Sequence, residues 1–148
     1  MTMSGRFQFI PERCIACGAC SVACMDQNDL FPETCGQPYR RCYTVEEGKG
    51  SATKICYRSS GCMHCKDAPC ISACPSGCLY QDEETKLTLY DASACVGCRL
   101  CLEACPYDAP AFSDAGVMAK CDGCVERVRH GFLPACVSAC PYDALVFE

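Results

Sequence analysis

Four short stretches of the chain predict β-strands: three contain alternating apolar and polar residues, and the fourth, residues 144–147, is a short apolar run. Two of them, residues 79–81 and 86–90, flank the polar residues 82–85, so together they predict a β-hairpin. The other two lie near the termini, at residues 6–10 and 144–147. We expect the terminal strands to pair with each other, as the strands of the central hairpin do.

The stretches that favour helices are equally short, at residues 19–25, 99–105 and 122–130. Gly131 follows the last of these and is expected to cap that helix at its carboxyl end. With 11 glycines and 9 prolines, the chain has little room for long helices. No apolar run approaches the roughly 20 residues of a membrane-spanning helix, so we expect no direct membrane insertion.

Cysteine changes this picture, because 20 of the 148 residues are cysteines and sixteen of them fall into four groups. The groups are Cys14, Cys17, Cys20, Cys24; Cys62, Cys65, Cys70, Cys74; Cys95, Cys98, Cys101, Cys105; and Cys121, Cys124, Cys136, Cys140. The first and third have the spacing C-x2-C-x2-C-x3-C, and a proline follows each of the last three groups. This spacing is typical of proteins that bind [4Fe–4S] clusters.

The geometry of the cluster explains the spacing. Three cysteines in one loop reach three iron corners, whereas the fourth cysteine points away from that loop and serves a neighbouring cluster. The proline after it has no N–H and a fixed φ, so it turns the chain away from the cluster. The pattern therefore predicts four clusters with ligands exchanged between groups.

Disulfides and structural zinc are the competing explanations for so many cysteines. Residues 1–9 lack a long apolar stretch and the layout of a signal peptide, so we expect a cytoplasmic protein, where thiols stay reduced. Structural zinc sites usually take pairs of cysteines separated by a longer linker and would not need a third cysteine two residues further on. His64 and His130, the two histidines, do not recur with the groups.

The net charge of −5 becomes more negative when clusters are bound, so we expect no nucleic-acid partner. The charged residues 46–50 are expected to form a solvated loop. Since the chain has no tryptophan and few long apolar stretches, the clusters are expected to act as its core, with folding coupled to metal insertion.

A repeat follows the fourth cysteine of three groups. Residues 105–109 and 140–144 have the same sequence, Cys-Pro-Tyr-Asp-Ala, and residues 74–78 occupy the same frame. Cys78 stands where the other copies have Ala109 and Ala144, so we interpret it as a small buried residue. No spacing supports a further metal site among Cys35, Cys42 and Cys56, which we interpret as structural or free thiols.

These motifs resemble the iron–sulfur electron-transfer subunit of the dimethyl sulfoxide reductase family of molybdenum or tungsten bis-pterin enzymes. The resemblance rests on GCMHCKDAPCISACPSG from Gly61, CVGCRLCLEACPYDAP from Cys95, KCDGCVERVRHGFLPACVSACPYDAL from Lys120, and YRRCY from Tyr39. Some members replace a cysteine of the third group and hold a three-iron cluster, but here that group is complete. The resemblance therefore implies four [4Fe–4S] clusters.

By analogy with two-cluster ferredoxins, we assign one set of four ligands to each cluster. Set 1 is Cys14, Cys17, Cys20 and Cys140; set 2 is Cys121, Cys124, Cys136 and Cys24; set 3 is Cys62, Cys65, Cys70 and Cys105; set 4 is Cys95, Cys98, Cys101 and Cys74. The expected fold is α+β, a single compact domain (residues 1–148) of two nested ferredoxin-like modules with short β-hairpins and short helices. The outer module comprises residues 1–35 with 115–148, and the inner module comprises residues 56–112.

The resemblance implies a subunit that is not an enzyme by itself and that relays electrons between a large pterin catalytic subunit and a second partner. A flavin or NAD(P)H subunit, a hydrogenase subunit, or further copies of this chain are candidates for that partner. Membrane-anchored members continue well past the fourth group, whereas this chain ends eight residues after Cys140, so we expect a soluble complex of the formate or aldehyde class. The alternatives are a free-standing polyferredoxin and a structural metal-binding module without redox activity.

Overall fold

The computed structural model describes residues 1–31 and 37–148. Over these ranges the chain forms short helices and two-stranded antiparallel sheets. The strands are β1 (Phe7–Phe9), β2 (Arg40–Glu47), β3 (Lys54–Gly61), β4 (Leu79–Gln81), β5 (Thr88–Tyr90), β6 (Ala111–Phe112), β7 (Met118–Ala119) and β8 (Leu145–Phe147). The α-helices are α1 (Ala19–Gln27), α2 (Pro69–Ala73), α3 (Leu100–Ala104), α4 (Val125–Arg129) and α5 (Ala135–Ser138).

The two ends of the chain are joined by a sheet, which confirms the pairing predicted from the terminal patterns. Strand β1 runs antiparallel to β8, with Phe7 opposite Phe147 and Phe9 opposite Leu145. Phe7 and Phe147 are buried, and their rings meet edge to face with centroids 5.2 Å apart. The sheet therefore places the beginning of the chain beside its end.

The central hairpin is also confirmed, with β4 antiparallel to β5 and Leu79 opposite Tyr90. Strand β5 begins at Thr88, two residues later than the pattern predicted. Lys86 has a positive φ of 62°, so it belongs to the turn and not to the strand. Asp82 stabilises this turn, because its carboxylate accepts hydrogen bonds from the N–H and the hydroxyl of Thr85.

The longest sheet was not predicted from the sequence. Strands β2 and β3 form a hairpin in which Arg40 lies opposite Gly61 and Glu47 opposite Lys54. Most of its residues are exposed or half-buried, so neither face carries the regular apolar alternation that reveals a strand. Residues 46–50 are exposed as expected, but Glu46 and Glu47 belong to β2 and only the remainder forms the turn.

The predicted helices exist with altered bounds. Helix α1 extends to Gln27, and α3 lies within the predicted stretch. Helix α4 begins at Val125 and not at residue 122, because Cys124 has a left-handed conformation with a φ of 54°. Gly131 caps its carboxyl end as predicted, with a φ of 79° and an N–H bonded to the carbonyl of Val128.

In the described residues, two clusters of buried side chains form the core, and both include cysteines. The first contains Phe7, Cys20, Leu87, Leu89, Val125, Val128, Cys136, Val137, Leu145 and Phe147. The second contains Ala68, Cys70, Cys78, Leu79, Cys101 and Met118. No helix within residues 1–31 and 37–148 has the length and apolar character needed to cross a membrane.

Candidate metal centres

Two cavities bring together cysteines from distant parts of the chain. One is lined by Cys14, Cys17, Cys20 and Cys140, which are the four members of set 1. The other is lined by Cys74, Cys95, Cys98 and Cys101, which are the four members of set 4. In both, the fourth cysteine comes from a different group than the other three, as ligand exchange between groups requires.

The cysteines of set 2 lie close enough for their charges to shift one another's pKa. Burial raises the pKa of Cys136 to about 11; Arg40 opposes that rise, and the charges of Cys124 and Cys24 add to it. Burial likewise raises the pKa of Cys121, with further contributions from the charges of Cys62 and Cys136. Helix α1, which carries Cys24, packs against α5, which carries Cys136.

The members of set 3 are related in the same way. Burial raises the pKa of Cys70 to about 11, and the charges of Cys62 and Cys105 add to the rise. The pKa of Cys65 is raised by burial and by the same two cysteines. Helix α2 packs against α3, and Cys105 directly follows α3. The fold thus places Cys105 beside the group that begins at Cys62.

One backbone conformation recurs in the loop between the first and second cysteine of every group. The residue before the second cysteine has a positive φ in all four loops: Ala16, His64, Gly97 and Gly123. In three loops its N–H donates to the sulfur of the first cysteine, from Ala16 to Cys14 at 3.5 Å, Gly97 to Cys95 at 3.4 Å and Gly123 to Cys121 at 3.3 Å. Such hydrogen bonds favour the thiolate form that binds iron.

Gly123 shows why the sequence uses glycine in one of these loops. Its φ is 72°, and a Cβ added there would lie 2.6 Å from Cδ2 of Leu87. A side chain at this position would therefore combine left-handed backbone strain with a collision against the buried Leu87.

A second recurring conformation follows the fourth cysteine. The N–H of Ala109 donates to Cys105 Sγ at 3.5 Å, and that of Ala144 donates to Cys140 Sγ at 3.3 Å. Cys78 occupies the equivalent position, since its own N–H and that of Leu79 donate to the sulfur of Cys74. The structure thereby confirms the frame in which Cys78 corresponds to the two alanines.

Cys78 also contacts a predicted ligand, because its sulfur lies 3.4 Å from the sulfur of Cys74. Burial acts to raise the pKa of Cys74, but hydrogen bonds from Ser76 and Cys78 lower it to about 6. Burial and the Cys74 thiolate raise the pKa of Cys78 to about 12. Cys78 is buried, as predicted, and it also lines the cavity of set 4.

Cys42 is a residue near the site whose position the sequence did not reveal. It lies on β2 and lines the set 1 cavity, and burial together with the charge of Cys20 raises its pKa to about 11. Ser59 on β3 lines the same cavity, with its Oγ 3.4 Å from Cys20 Sγ. Their position depends on the β2–β3 hairpin, for which the sequence carried no clear pattern.

Cys56 is a half-buried free thiol, and Cys35 lies outside the described residues.

Two buried cations lie between sets 2 and 3. Lys120 Nζ donates to the carbonyl oxygens of Thr88 and Cys121, both at 2.6 Å, and to Cys62 Sγ at 3.7 Å. Arg40 donates to the carbonyl of Cys62 at 3.3 Å. His64 is fully buried beside them, and burial together with both cations lowers its pKa well below the usual value. The only sequence signal for Lys120 was its position directly before Cys121.

The arrangement fits iron–sulfur clusters. Within residues 1–31 and 37–148, no three His, Cys, Asp or Glu side chains converge on a point suited to one metal ion. The cysteines of sets 1 and 4 instead surround a cavity, as ligands that each bind a separate iron corner must. Every cysteine in the described ranges is a free thiol, so its sulfur is available as a ligand. When bound, such a cluster supplies reversible one-electron transfer.

Comparison with known families supports the same chemistry. Residues 53–148 match the family described as a 4Fe-4S dicluster domain, and residues 7–24 match a 4Fe-4S binding domain. The first match covers the second, third and fourth cysteine groups, and the second covers the first group.

Several curated proteins are similar over most of the chain. The B subunit of the anaerobic dimethyl sulfoxide reductase of Escherichia coli (strain K12) is 38% identical over 143 residues, covering 90% of this chain and 68% of the relative. The thiosulfate reductase electron transfer subunit PhsB of Salmonella typhi is 40% identical over 126 residues, covering 84% and 65%. The formate dehydrogenase iron-sulfur subunit of Wolinella succinogenes is 38% identical over 125 residues, covering 80% and 60%.

Proposed function

Because this chain belongs to the iron–sulfur subunits of the dimethyl sulfoxide reductase family of molybdenum–pterin oxidoreductases, we propose that it holds four [4Fe–4S] clusters and relays electrons within such a complex. Subunits of this kind transfer electrons and do not act on the substrate, so the chain is not an enzyme by itself. The ligands of the four clusters are the cysteines of sets 1 to 4.

One observation carries this proposal. Each of two cavities is lined by a complete set of four cysteines, three from one group and the fourth from another, as the predicted exchange of ligands between groups requires. In set 1 the partners are Cys14 near the start of the chain and Cys140 near its end, which the β1–β8 sheet brings together. A structural role alone would not require this exchange of ligands.

The order of the sets follows from the elements that connect them. Helix α1 carries Cys20 of set 1 and Cys24 of set 2 one turn apart, so these sets are neighbours. Helix α2 carries Cys70 of set 3 and is followed by Cys74 of set 4, so these sets are neighbours too. Sets 2 and 3 meet at Lys120, which contacts both Cys121 and Cys62. These neighbours support the linear relay in the order 1, 2, 3, 4 that we propose.

The ends of that line are also its accessible points. Cys17 of set 1 and Cys98 of set 4 are exposed, whereas Cys65 of set 3 and Cys124 of set 2 are only half-exposed. Large apolar side chains next to the exposed cysteines lie on the surface, with Ile15 48% and Val96 68% exposed. We infer that one partner docks near set 1 and the other near set 4.

The finer assignments are proposals of the same kind. We propose that the chain carrying these sets folds as two nested ferredoxin-like modules. The outer module comprises residues 1–35 with 115–148, and the inner module comprises residues 56–112. We place the chain in a soluble cytoplasmic complex of the formate or aldehyde class, with a molybdenum or tungsten pterin subunit at one end. A flavin or NAD(P)H subunit, a hydrogenase subunit or another copy of this chain occupies the other end.

Iron and sulfide analysis of anaerobically purified protein tests the proposal. Four sets should give about sixteen iron and sixteen sulfide per chain, and the colour should bleach with dithionite. Affinity purification of the chain from its native cell should also retain a large pterin-containing protein.

A reproducible content near eight iron after reconstitution would contradict the four-cluster assignment. Full iron content without any retained pterin protein would instead support a free-standing polyferredoxin. Loss of the bleaching reaction would leave only a structural metal-binding role.

A further inference from the structure

Lys120 is the most deeply buried charged side chain at the junction between sets 2 and 3. Its relative exposure is 1%, and its ammonium group donates to two carbonyl oxygens and to the sulfur of Cys62. The ammonium also lies 5.9 Å from the centre of the Tyr90 ring. These contacts hold the charge at one fixed place, within 3.7 Å of a sulfur of set 3 and in contact with the backbone of Cys121 of set 2.

A buried ammonium needs compensating negative charge, because transfer of an unpaired charge out of water is costly. Within the part of the chain that the structure describes, the ion pairs join Arg58 to Glu47 and Arg129 to Asp82 and Glu126. Lys120 therefore has no carboxylate partner in those residues. The negative group that it contacts is the sulfur of Cys62, a ligand in set 3.

We propose that Lys120 is a positioning residue for electron transfer, whose buried charge stabilises the reduced state at sets 3 and 2 and so sets their reduction potentials. The inference rests on the proposed function. With a cluster bound, the one electron that set 3 or set 2 would accept from its neighbour in the relay would add one negative charge, which a cation at fixed distance would stabilise. The step moves one electron only, and no bond is formed or broken in it.

The contacts also predict which sets respond. Cys62 Sγ accepts a hydrogen bond directly from Lys120, so set 3 should respond most. Set 2 is reached through the carbonyl oxygen of Cys121 and should respond less. Sets 1 and 4 supply no contact to Lys120 in the described residues, so their response should be small.

The experiment measures the potential of each cluster by anaerobic redox titration followed by electron paramagnetic resonance, with iron content determined on the same samples. Lys120→Met removes the charge and the donors, whereas Lys120→Gln removes the charge and keeps an N–H donor. Lys120→Arg keeps the charge. Lys66→Met is the matched control, because Lys66 follows Cys65 of set 3 directly but is exposed to solvent.

In Lys120→Met and Lys120→Gln, reduction of one cluster should become at least tenfold less favourable, which corresponds to a potential about 59 mV lower for one electron. A second cluster should shift in the same direction by less, and the remaining two should keep their potentials. Lys120→Arg and Lys66→Met should both resemble the wild type.

Unchanged potentials in iron-replete Lys120→Gln would overturn the proposal, as would an equal shift of all four clusters or an equal shift in Lys66→Met. If Lys120→Met and Lys120→Gln lose iron, the iron content and potentials of Lys120→Arg distinguish a requirement for the charge from a requirement for the shape. Wild-type iron and potentials in that variant would support a requirement for the charge, and loss of iron there too would show that shape alone matters. A wild-type iron content far below sixteen would count against the proposed function and not against Lys120.

Discussion

Backbone N–H groups surround the cysteine sulfurs and repeat the same pattern at several positions. The N–H two residues after the first cysteine and the N–H four residues after the fourth cysteine both point at sulfur, as at Cys121 and Cys140. Hydrogen bonds to the ligand sulfurs are among the terms that set the potential of an iron–sulfur cluster. At the residue scale, therefore, local conformation places several of the ligands and also provides their sulfurs with hydrogen bonds.

Cys74 and Cys78 offer a test at this scale, because both line the set 4 cavity but only Cys74 belongs to a ligand set. Cys78→Ala should keep about sixteen iron per chain, since alanine occupies the equivalent position at Ala109 and Ala144. Cys74→Ala should lose one to four iron, because one corner of a cluster loses its thiolate. Iron analysis of the two variants side by side gives the answer. Loss of iron in Cys78→Ala alone would reverse the assignment of ligand and neighbour.

At the scale of elements, two-stranded sheets hold the loops that carry the cysteines. A two-stranded hairpin is marginally stable alone, so each must be stabilised by its turn and by packing. The β4–β5 hairpin, between the second and third groups, uses both. Asp82 holds the turn, and Leu87 and Leu89 enter the first core cluster.

Asp82→Asn should destabilise the protein through this turn. The carboxylate accepts two hydrogen bonds from Thr85 and pairs with Arg129 at 3.3 Å, and the loss should cost about 1 kcal/mol, a Tm lower by about 2–4 °C. Anaerobic thermal unfolding at pH 7 measures the shift. The matched control is Glu83→Gln, an exposed acid in the same turn, which should leave the Tm within experimental error.

The same substitution predicts a pH dependence. The hydrogen bonds from Thr85, followed by the charge of Arg129, lower the pKa of Asp82 in the folded protein. A group with a lowered folded pKa stabilises the protein above its unfolded pKa of about 3.9, and the contribution is lost as the pH falls through the folded value. The difference in Tm between wild type and Asp82→Asn should therefore shrink below about pH 4. A difference that stays constant to lower pH would contradict this cause.

On the scale of the whole molecule, cysteines take the place of part of the apolar core. Cys20 and Cys136 belong to the first core cluster, and Cys70 and Cys101 belong to the second. All four are members of the ligand sets. Because the side chains that would bind iron also form the interior, metal binding and folding should be one process.

Removal of the iron should therefore unfold most of the chain. After oxidation and chelation, the far-ultraviolet circular dichroism should lose most of its structured signal, and anaerobic reconstitution with iron and sulfide should restore it. The reconstituted sample serves as the control for damage to the polypeptide. An iron-free chain that keeps its spectrum and unfolds cooperatively would show that the apolar residues suffice.

The sequence by itself determined the features that depend on local spacing. The cysteine groups, the β4–β5 hairpin, the pairing of β1 with β8 and the cap at Gly131 all follow from short patterns of residue type. Helix α1 was also predictable. The cysteine groups, the β4–β5 hairpin and the cap are local, so the chemistry of neighbouring residues is sufficient to specify them. The pairing of β1 with β8 spans the chain and was inferred only because the terminal stretches resemble the strands of the central hairpin.

Only the tertiary structure decided the features that depend on residues distant in sequence. The β2–β3 hairpin is largely solvated on both faces and leaves no alternation to detect, yet it brings Cys42 and Ser59 to the set 1 cavity. Lys120 contacts Cys62, 58 positions away in the sequence, and nothing in its local sequence predicts burial. A charge can be buried only where the rest of the fold supplies carbonyl oxygens and a sulfur to receive it, and that arrangement exists only in three dimensions.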